Sequence, residues 1–328
     1  MVRILSKSDV SQLLTMKDTL QYVEEAYKQL VLGNALVPQR IGITDPAPGL
    51  TLVMPGIIGG GMGALATKIV SVYKDNPKKH NMPTTLAKIM VQNIDTGEIV
   101  GIMDGGLITA MRTGAATGVS VKHLARKNSK VMGIYGAGVQ AKGQVRAVYW
   151  GLEQKLEKCK VYDIQKTAAE AFKAELEKEL GIDVEIVEAG DNLLDTDILS
   201  CATTSPEPLF DGNKVPEGMH IASIGAHAAT TRELDSTTIK RASIRAAGLK
   251  SACLAEAGDY IIPINEGIIK EDDIVSIGEI ILGKKPSRAS DKDITVFKSV
   301  GISAQDVAVA KLVYDRALEK GIGQDIDF

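Results

Sequence analysis

A chain of 328 residues with 45% hydrophobic and 24% charged side chains has the balance of a water-soluble globular protein, with room for two domains of ordinary size. Its net charge of −3 exerts no long-range pull on phosphate backbones or anionic membranes, which argues against nucleic acid as a partner. Three widely spaced cysteines, Cys159, Cys201 and Cys253, form neither a disulfide framework nor a CxxC pair, and charged residues from Lys7 to Glu25 interrupt any signal-peptide run. No apolar stretch is long enough to span a membrane, so free thiols in a reducing cytoplasm are the expectation.

In chain order, Ser8-Asp9 followed by Val10, Leu13 and Leu14 reads as a short capped helix, and Leu20, Val23, Ala26, Tyr27 and Leu30 continue a second at helical spacing. From Arg40 to Asp104 the texture is β, with runs at Leu50–Met54, Ala66–Tyr73 and Lys88–Asn93 bounded by Pro, Gly, Asp or Asn, which predicts a small sheet domain. Beyond Ala110 a helix carries Ala115, Ala116, Val119, Val121 and Leu124. Strand–helix alternation then predicts a mostly parallel sheet with right-handed crossovers, its strands at Val131–Tyr135, Lys160–Tyr162, Glu185–Val187, Ile198–Ala202, Ile221–Ile224 and Ile244–Ala247. The tail, Val307–Leu318, reads as an apolar-periodic helix with no strand after it, free to pack back on the first domain.

The strand Val131–Tyr135 runs into Gly136-Ala137-Gly138-Val139-Gln140-Ala141, a G-x-G-x-x-A turn opening a helix. Gly136 permits the tight turn, Gly138 lets backbone approach a pyrophosphate, and Ala141 lets the helix lie close on the strand. The helix N-terminus offers unpaired N–H groups to the phosphates. Asp163, at the end of the next strand, stands where a carboxylate would meet the adenosine ribose 2′-hydroxyl, which favours NAD(H); a helix N-cap is its competing reading, and Lys166 nearby keeps NADP(H) open.

A second signal is a set of cations in β-rich surroundings: Arg40 in Val-Pro-Gln-Arg, Lys68 in Ala-Thr-Lys-Ile-Val, and Arg112 in Met-Arg-Thr-Gly. Lys68 lies mid-strand between apolar neighbours, where a lysine needs a partner. An α-carboxylate clamped by the three is one reading, and ordinary ion pairing with Asp or Glu is the other.

The stretch Met103–Gly118, the turn Gly136–Ala141, Ile224–Asp235 and Thr295–Gly301 together resemble the ornithine cyclodeaminase/mu-crystallin family, in order along most of the chain. The resemblance implies a doubly wound Rossmann domain at 118–299, inserted into a smaller α+β substrate-binding and dimerisation domain made of 1–117 with 300–328, in a homodimer. It places Arg40, Lys68 and Arg112 at the substrate carboxylate. It puts Thr84 and Arg112 with Gly136, Ala137, Gly138, Val139, Gln140, Asp163 and Thr203, of the loop Cys201-Ala-Thr-Thr204, at the cofactor. Lys68 beside a C=N bond then has a second role in proton transfer.

Cyclodeaminases of this family hold the side-chain amine with two carboxylates, whereas the matching positions here are His227 and Leu52. That departure resembles the mu-crystallin and ketimine-reductase branches. His227 is a candidate proton donor, with a solvent-facing loop residue as the alternative. His80, His123 and His220 have no metal-ligand spacing and are expected at the surface, so no metal is expected. Asp306 is either catalytic or a cap of the last helix. The leading expectation is NAD(P)H-dependent reduction of a small cyclic or linear 2-imino acid, such as pyrroline-2-carboxylate to L-proline. The alternatives are an alanine-type amino-acid dehydrogenase, an ornithine cyclodeaminase, and a non-catalytic ligand-binding protein.

Overall fold

The computed structural model describes residues 1–44 and 48–327. The chain opens with strand β1 (Val2–Leu5) and helices α1 (Lys7–Leu13) and α2 (Met16–Val31). The cap of α1 is Ser6 rather than Ser8: its hydroxyl accepts from Asp9 N while the Asp9 carboxylate accepts from Ser6 N at 2.8 Å. There follow β2 (Ala35–Leu36), β3 (Ile41–Ile43), β4 (Leu50–Ile58), β5 (Ala64–Val72), a short α3 (Asn76–Lys79), β6 (Thr85–Gln92), β7 (Ile99–Asp104) and α4 (Gly105–Leu124). The middle of the chain holds β8 (Val131–Tyr135), α5 (Val139–Gly151), β9 (Lys158–Tyr162), α6 (Lys166–Leu180), β10 (Asp183–Ile186), β11 (Ile198–Cys201) and β12 (His220–Ser223). After α7 (Ser236–Arg241) come β13 (Ile244–Ala247), α8 (Lys250–Glu256), α9 (Gly258–Asn265), β14 (Ile274–Ser276), α10 (Ile277–Ile281) and β15 (Thr295–Lys298), and the chain closes with α11 (Ser303–Lys320) and β16 (Gln324–Ile326).

These elements make two compact units, one of Met1–Arg112 with the segment from Ile302 onward, the other of Thr113–Gly301. The first division falls inside α4, whose helical hydrogen bonding runs through it.

In the first unit the sheet runs β16-β1-β7-β6-β5-β4-β2, with β3 paired beside β2 on β4. Strand β5 buries Ala64, Ala66, Lys68 and Val70 on one face and turns Ile69 outward, the period-two alternation of a sheet with one covered side. Pro55 sits opposite Thr67 of β5, while on the other edge of β4 it falls in the gap between the stretch paired with β3, which ends at Val53, and the stretch paired with β2, which starts at Ile57, a position where a missing N–H is tolerated. Helix α11 covers the inner face against β4 and β5, and Gly56 admits it: a Cβ there would stand 2.9 Å from Ser303 Oγ and 3.1 Å from Val307 Cγ2. The expected absence of a strand after this helix is overturned. β16 pairs antiparallel with β1, Val2 against Ile326, tied by Arg3 Nη2 to Asp325 Oδ2 at 2.6 Å. A three-residue strand with two polar members shows no alternation to read.

In the second unit every strand pair is parallel, in the order β10-β9-β8-β11-β12-β15-β13-β14. Strand order reverses between β8 and β11, the switch point at which open α/β sheets take ligands. One face is filled by Val145, Val148, Phe172 and Leu176, the other by Leu234, Ile239, Cys253 and Tyr260. Strands β14 and β15 were not among the expected ones. The second half of α4 lies backbone to backbone on α5: a Cβ on Gly114 would meet Gly143 O at 2.3 Å, and one on Gly151 would meet Gly118 O at 2.6 Å. Among the described residues no helix is long and apolar enough to cross a membrane.

Gly114→Ala should therefore destabilise the protein by about 1–3 kcal/mol through overpacking, more than the ~1 kcal/mol an alanine gains inside a helix. Urea unfolding measures it, and a variant more stable than the parent would refute the close crossing.

Candidate functional site

In the first unit, alternation on β5 sends the Lys68 side chain to the covered face, between Met54 on β4 and Ile89 on β6. Only 1% of the residue is exposed. Its Nζ lies 2.6 Å from Asp306 Oδ2, and the other oxygen of the same carboxylate accepts from Arg112 Nε at 3.0 Å. Arg112 Nη1 donates to Gln305 Oε1 at 2.9 Å, and Gln305 Nε2 to Tyr27 Oη at 2.6 Å, so the guanidinium is fixed in direction by a second buried chain of polar atoms. Burial and then the nearby Arg112 bring the Lys68 ammonium from 10.5 to about 7; Asp306 opposes the shift and Arg40 adds to it. The structure thus gathers Lys68 and Arg112 around one carboxylate, with Arg40 close enough to act on Lys68.

Ordinary ion pairing is part of the answer for Lys68 and Arg112, because Asp306 serves both. Arg112 and a partly charged Lys68 around one carboxylate, with Arg40 acting on Lys68, make a positive environment suited to an anionic ligand. Asp306 does not cap α11; the N-cap is Ile302, and the Asp306 side chain is spent on Lys68 and Arg112. On the same face of the sheet, Leu52, Met54, Val70 and Ala87 form an apolar cluster with Leu50 packed against it. Thr84 precedes β6 in this unit, partly exposed, its carbonyl accepting from Tyr73 N at 2.8 Å.

In the second unit, Gly136 has φ +95° and a Cβ on it would stand 2.7 Å from Ala202 O, so turn and close approach both demand glycine. Gly138 is the N-cap of α5 with ordinary dihedrals, and no protein atom lies within 4 Å of where its Cβ would be. Its lack of a side chain serves space outside the protein, as a pyrophosphate cradle requires. Gln140 Oε1 is buried without a hydrogen-bond partner, an acceptor suited to a ligand hydroxyl, and Val139 is exposed beside it. Asp163 accepts from Ala137 N and Gln165 N, both at 2.8 Å. It is not the N-cap of α6, which is Gln165; it ties the glycine turn to the start of that helix. These residues fit a dinucleotide.

Thr203 turns both its N–H and its hydroxyl onto Glu233 Oε1, at 2.8 and 2.9 Å. His227 is exposed, with Nδ1 3.0 Å from Gly225 O. His220, expected at the surface, is fully buried on β12: Ser120 Oγ lies 3.0 Å from Nε2 and Thr295 Oγ1 2.9 Å from Nδ1. Burial, helped by Arg288, pushes its pKa down to about 3, so it stays a neutral core residue. Among the described residues no group of His, Cys, Asp and Glu is arranged to hold a metal.

Residues 2–321 match the Ornithine cyclodeaminase/mu-crystallin family. The chain belongs to this family. It is 34% identical to a Bacillus cereus Delta(1)-pyrroline-2-carboxylate reductase over 99% of both chains, and 36% identical to an Archaeoglobus fulgidus alanine dehydrogenase over 99% of this chain and 98% of that one. Its fold superposes with a TM-score of 0.94 on Thermococcus litoralis Delta(1)-pyrroline-2-carboxylate reductase in complex with NADH and L-proline, at 42% identity, covering 99% of this chain and 100% of that chain.

One member of this site, Gln305, escapes a reading of sequence: it stands beside Asp306 on an otherwise apolar, buried stretch of helix, and only that polarity marks it. Removing the shared carboxylate leaves two buried cations facing each other. Asp306→Ala should cost about 3–5 kcal/mol in urea unfolding. Lys68 has a lower pKa folded than unfolded, so it opposes stability when forced to stay charged. Without Asp306 that pKa falls further, and the deficit against the parent should shrink as pH rises through about 7. A deficit independent of pH would mean that Lys68 does not titrate there.

Proposed function

We propose that this protein reduces a small 2-imino acid, such as pyrroline-2-carboxylate to L-proline, using NADH. The observation that carries the reading is the buried Lys68–Asp306–Arg112 group with Arg40 beside it, next to the apolar surface of Leu52 and Met54. The arginines hold the substrate carboxylate by charge and by the planar fork of the guanidinium. The ring or alkyl part of the substrate meets Leu52 and Met54, which offer nothing to a second charge. Bound NADH supplies a hydride to the imine carbon. Reduction also needs a proton on nitrogen, and a lysine with a pKa of about 7 is a donor matched to neutral solution. Asp306 keeps the Lys68 ammonium in place and partly charged.

The cofactor lies along Gly136, Ala137, Gly138, Val139 and Gln140, with Asp163 toward the adenosine ribose, where its carboxylate disfavours a 2′-phosphate. Thr203, Thr84 and Arg112 are further contacts on this reading, and His227 is a loop residue available for proton exchange with solvent. A cyclodeaminase needs a carboxylate for a second amine; Leu52 in its apolar cluster and an exposed His227 speak against one. The likeness to alanine dehydrogenase supports a second reading, in which the same clamp and lysine serve L-alanine oxidation. Tested side by side, NADH consumption with pyrroline-2-carboxylate or NADH formation with L-alanine decides between them, and turnover of either removes a purely ligand-binding role.

Lys68→Ala should lower kcat/KM for imine reduction about 10²- to 10⁴-fold while NADH binding is kept. In the parent enzyme kcat/KM for reduction should fall as pH rises past about 7, where Lys68 loses its proton, and the variant should lack that limb. An unchanged pH profile in the variant rules Lys68 out as the donor.

We also propose a homodimer through the uncovered face of the first unit's sheet. Ile41, Ile43, Ile69 and Leu86 project from that face with 61%, 54%, 41% and 37% of their surface exposed, a contiguous apolar patch across β3, β5 and β6. Light scattering should give twice the chain mass for the parent and a shift toward the single chain for Ile69→Lys; a monomeric parent refutes the interface.

A further inference from the structure

The second unit contains a buried charged group that the chemistry above does not use. Glu233, fully buried, accepts four hydrogen bonds: from Thr203 N and Oγ1 at 2.8 and 2.9 Å on one oxygen, and from Gly225 N and Ser223 Oγ at 2.7 and 2.9 Å on the other. Its own backbone is held in turn, because Glu233 N and Leu234 N both donate to Asp259 Oδ1 at 3.0 Å. Asp259 is paired with Lys298 at 2.8 Å, and the Lys298 ammonium donates to Ser223 Oγ at 2.9 Å. All three charged side chains are fully buried.

A core built for stability alone would fill this volume with apolar side chains, since burying charge is costly even when it is paired. What the carboxylate achieves is geometric. It joins the loop leaving β11 to the loop leaving β12 at the C-terminal edge of the parallel sheet. The two loops are pressed together: a Cβ on Gly225 would stand 2.2 Å from Thr203 O and 2.4 Å from Glu233 Oε1. In a doubly wound sheet the dinucleotide spreads from the glycine turn after the first strand, one half to each side. Asp163 follows β9, on one side of β8; the Glu233 loops follow β11 and β12, on the other.

We infer that Glu233 is a positioning residue for the nicotinamide half of the cofactor: it sets the 203–205 and 225–227 backbone against which that half rests, and the adenosine half is independent of it. The inference rests on the dinucleotide reading of this unit. Calorimetric titration of the parent protein, Glu233→Gln and Ser223→Ala with NADH and with ADP-ribose, which lacks nicotinamide, tests it. Glu233→Gln turns one acceptor into a donor facing donors, and should weaken NADH about 10- to 100-fold while leaving ADP-ribose within about twofold. Ser223→Ala removes one of the four bonds and should show the same selectivity at smaller size. Equal loss of both ligands, or loss of neither, overturns the role. If Glu233→Gln does not fold, Ser223→Ala decides by the same criterion. A parent protein that binds neither ligand overturns the dinucleotide reading itself, and the inference with it.

Discussion

One buried carboxylate, Asp306, shared between Lys68 and Arg112, is the constraint on which the first unit depends. A lysine with 1% exposure and an arginine nearly as buried are tolerable in an apolar interior only with a counter-charge at hydrogen-bond distance. That counter-charge comes from the far end of the chain, 238 residues from Lys68 and 194 from Arg112. Helix α11 must therefore lie on the sheet made by the N-terminal segment, and Gly56 and the small residue Ser303 let it lie close. The parallel unit between the two segments is an insertion into a domain whose electrostatics are completed only when both ends meet.

The inserted unit is organised by close backbone approach instead. Gly136 against Ala202, Gly114 against Gly143 and Gly225 against Thr203 are positions where a single Cβ would meet backbone at 2.7, 2.3 and 2.2 Å. Two of these pairs sit at the C-terminal ends of strands, where Asp163 and Glu233 each gather amide donors onto one carboxylate. The same device thus fixes loops on both sides of β8. An acidic side chain here acts on backbone first, and any ligand meets loops already held in position.

How much of this was legible follows from the range of each interaction. Val131–Tyr135 and Ile244–Ala247 were read residue for residue, because apolar runs bounded by turn-forming residues declare themselves locally. The glycine turn was legible as spacing, and Lys68 as a charge out of keeping with its strand. β1 and β16 were not legible, since each is defined by pairing with distant segments. Nor were β14 and β15, short segments of three and four residues. For Asp306 the sequence leaves a catalytic role and capping both open, because its partners Lys68 and Arg112 lie far away along the chain. Nothing local to His220 marks it as buried, because its partners, Ser120 and Thr295, lie 100 and 75 residues away.

On the proposed reading, the same group that binds the substrate also regulates its own proton. Lys68 is held near a pKa of 7 by burial and by Arg112, against the pull of Asp306. An arriving carboxylate adds a second negative charge beside Lys68, next to that of Asp306, and this favours the ammonium form. Substrate binding therefore loads the donor with its proton before reduction. Once the proton has passed to nitrogen as the hydride reaches carbon, Lys68 and the product amine are both neutral. Burial that looks like a cost to the fold makes the proton available when the imino acid is bound.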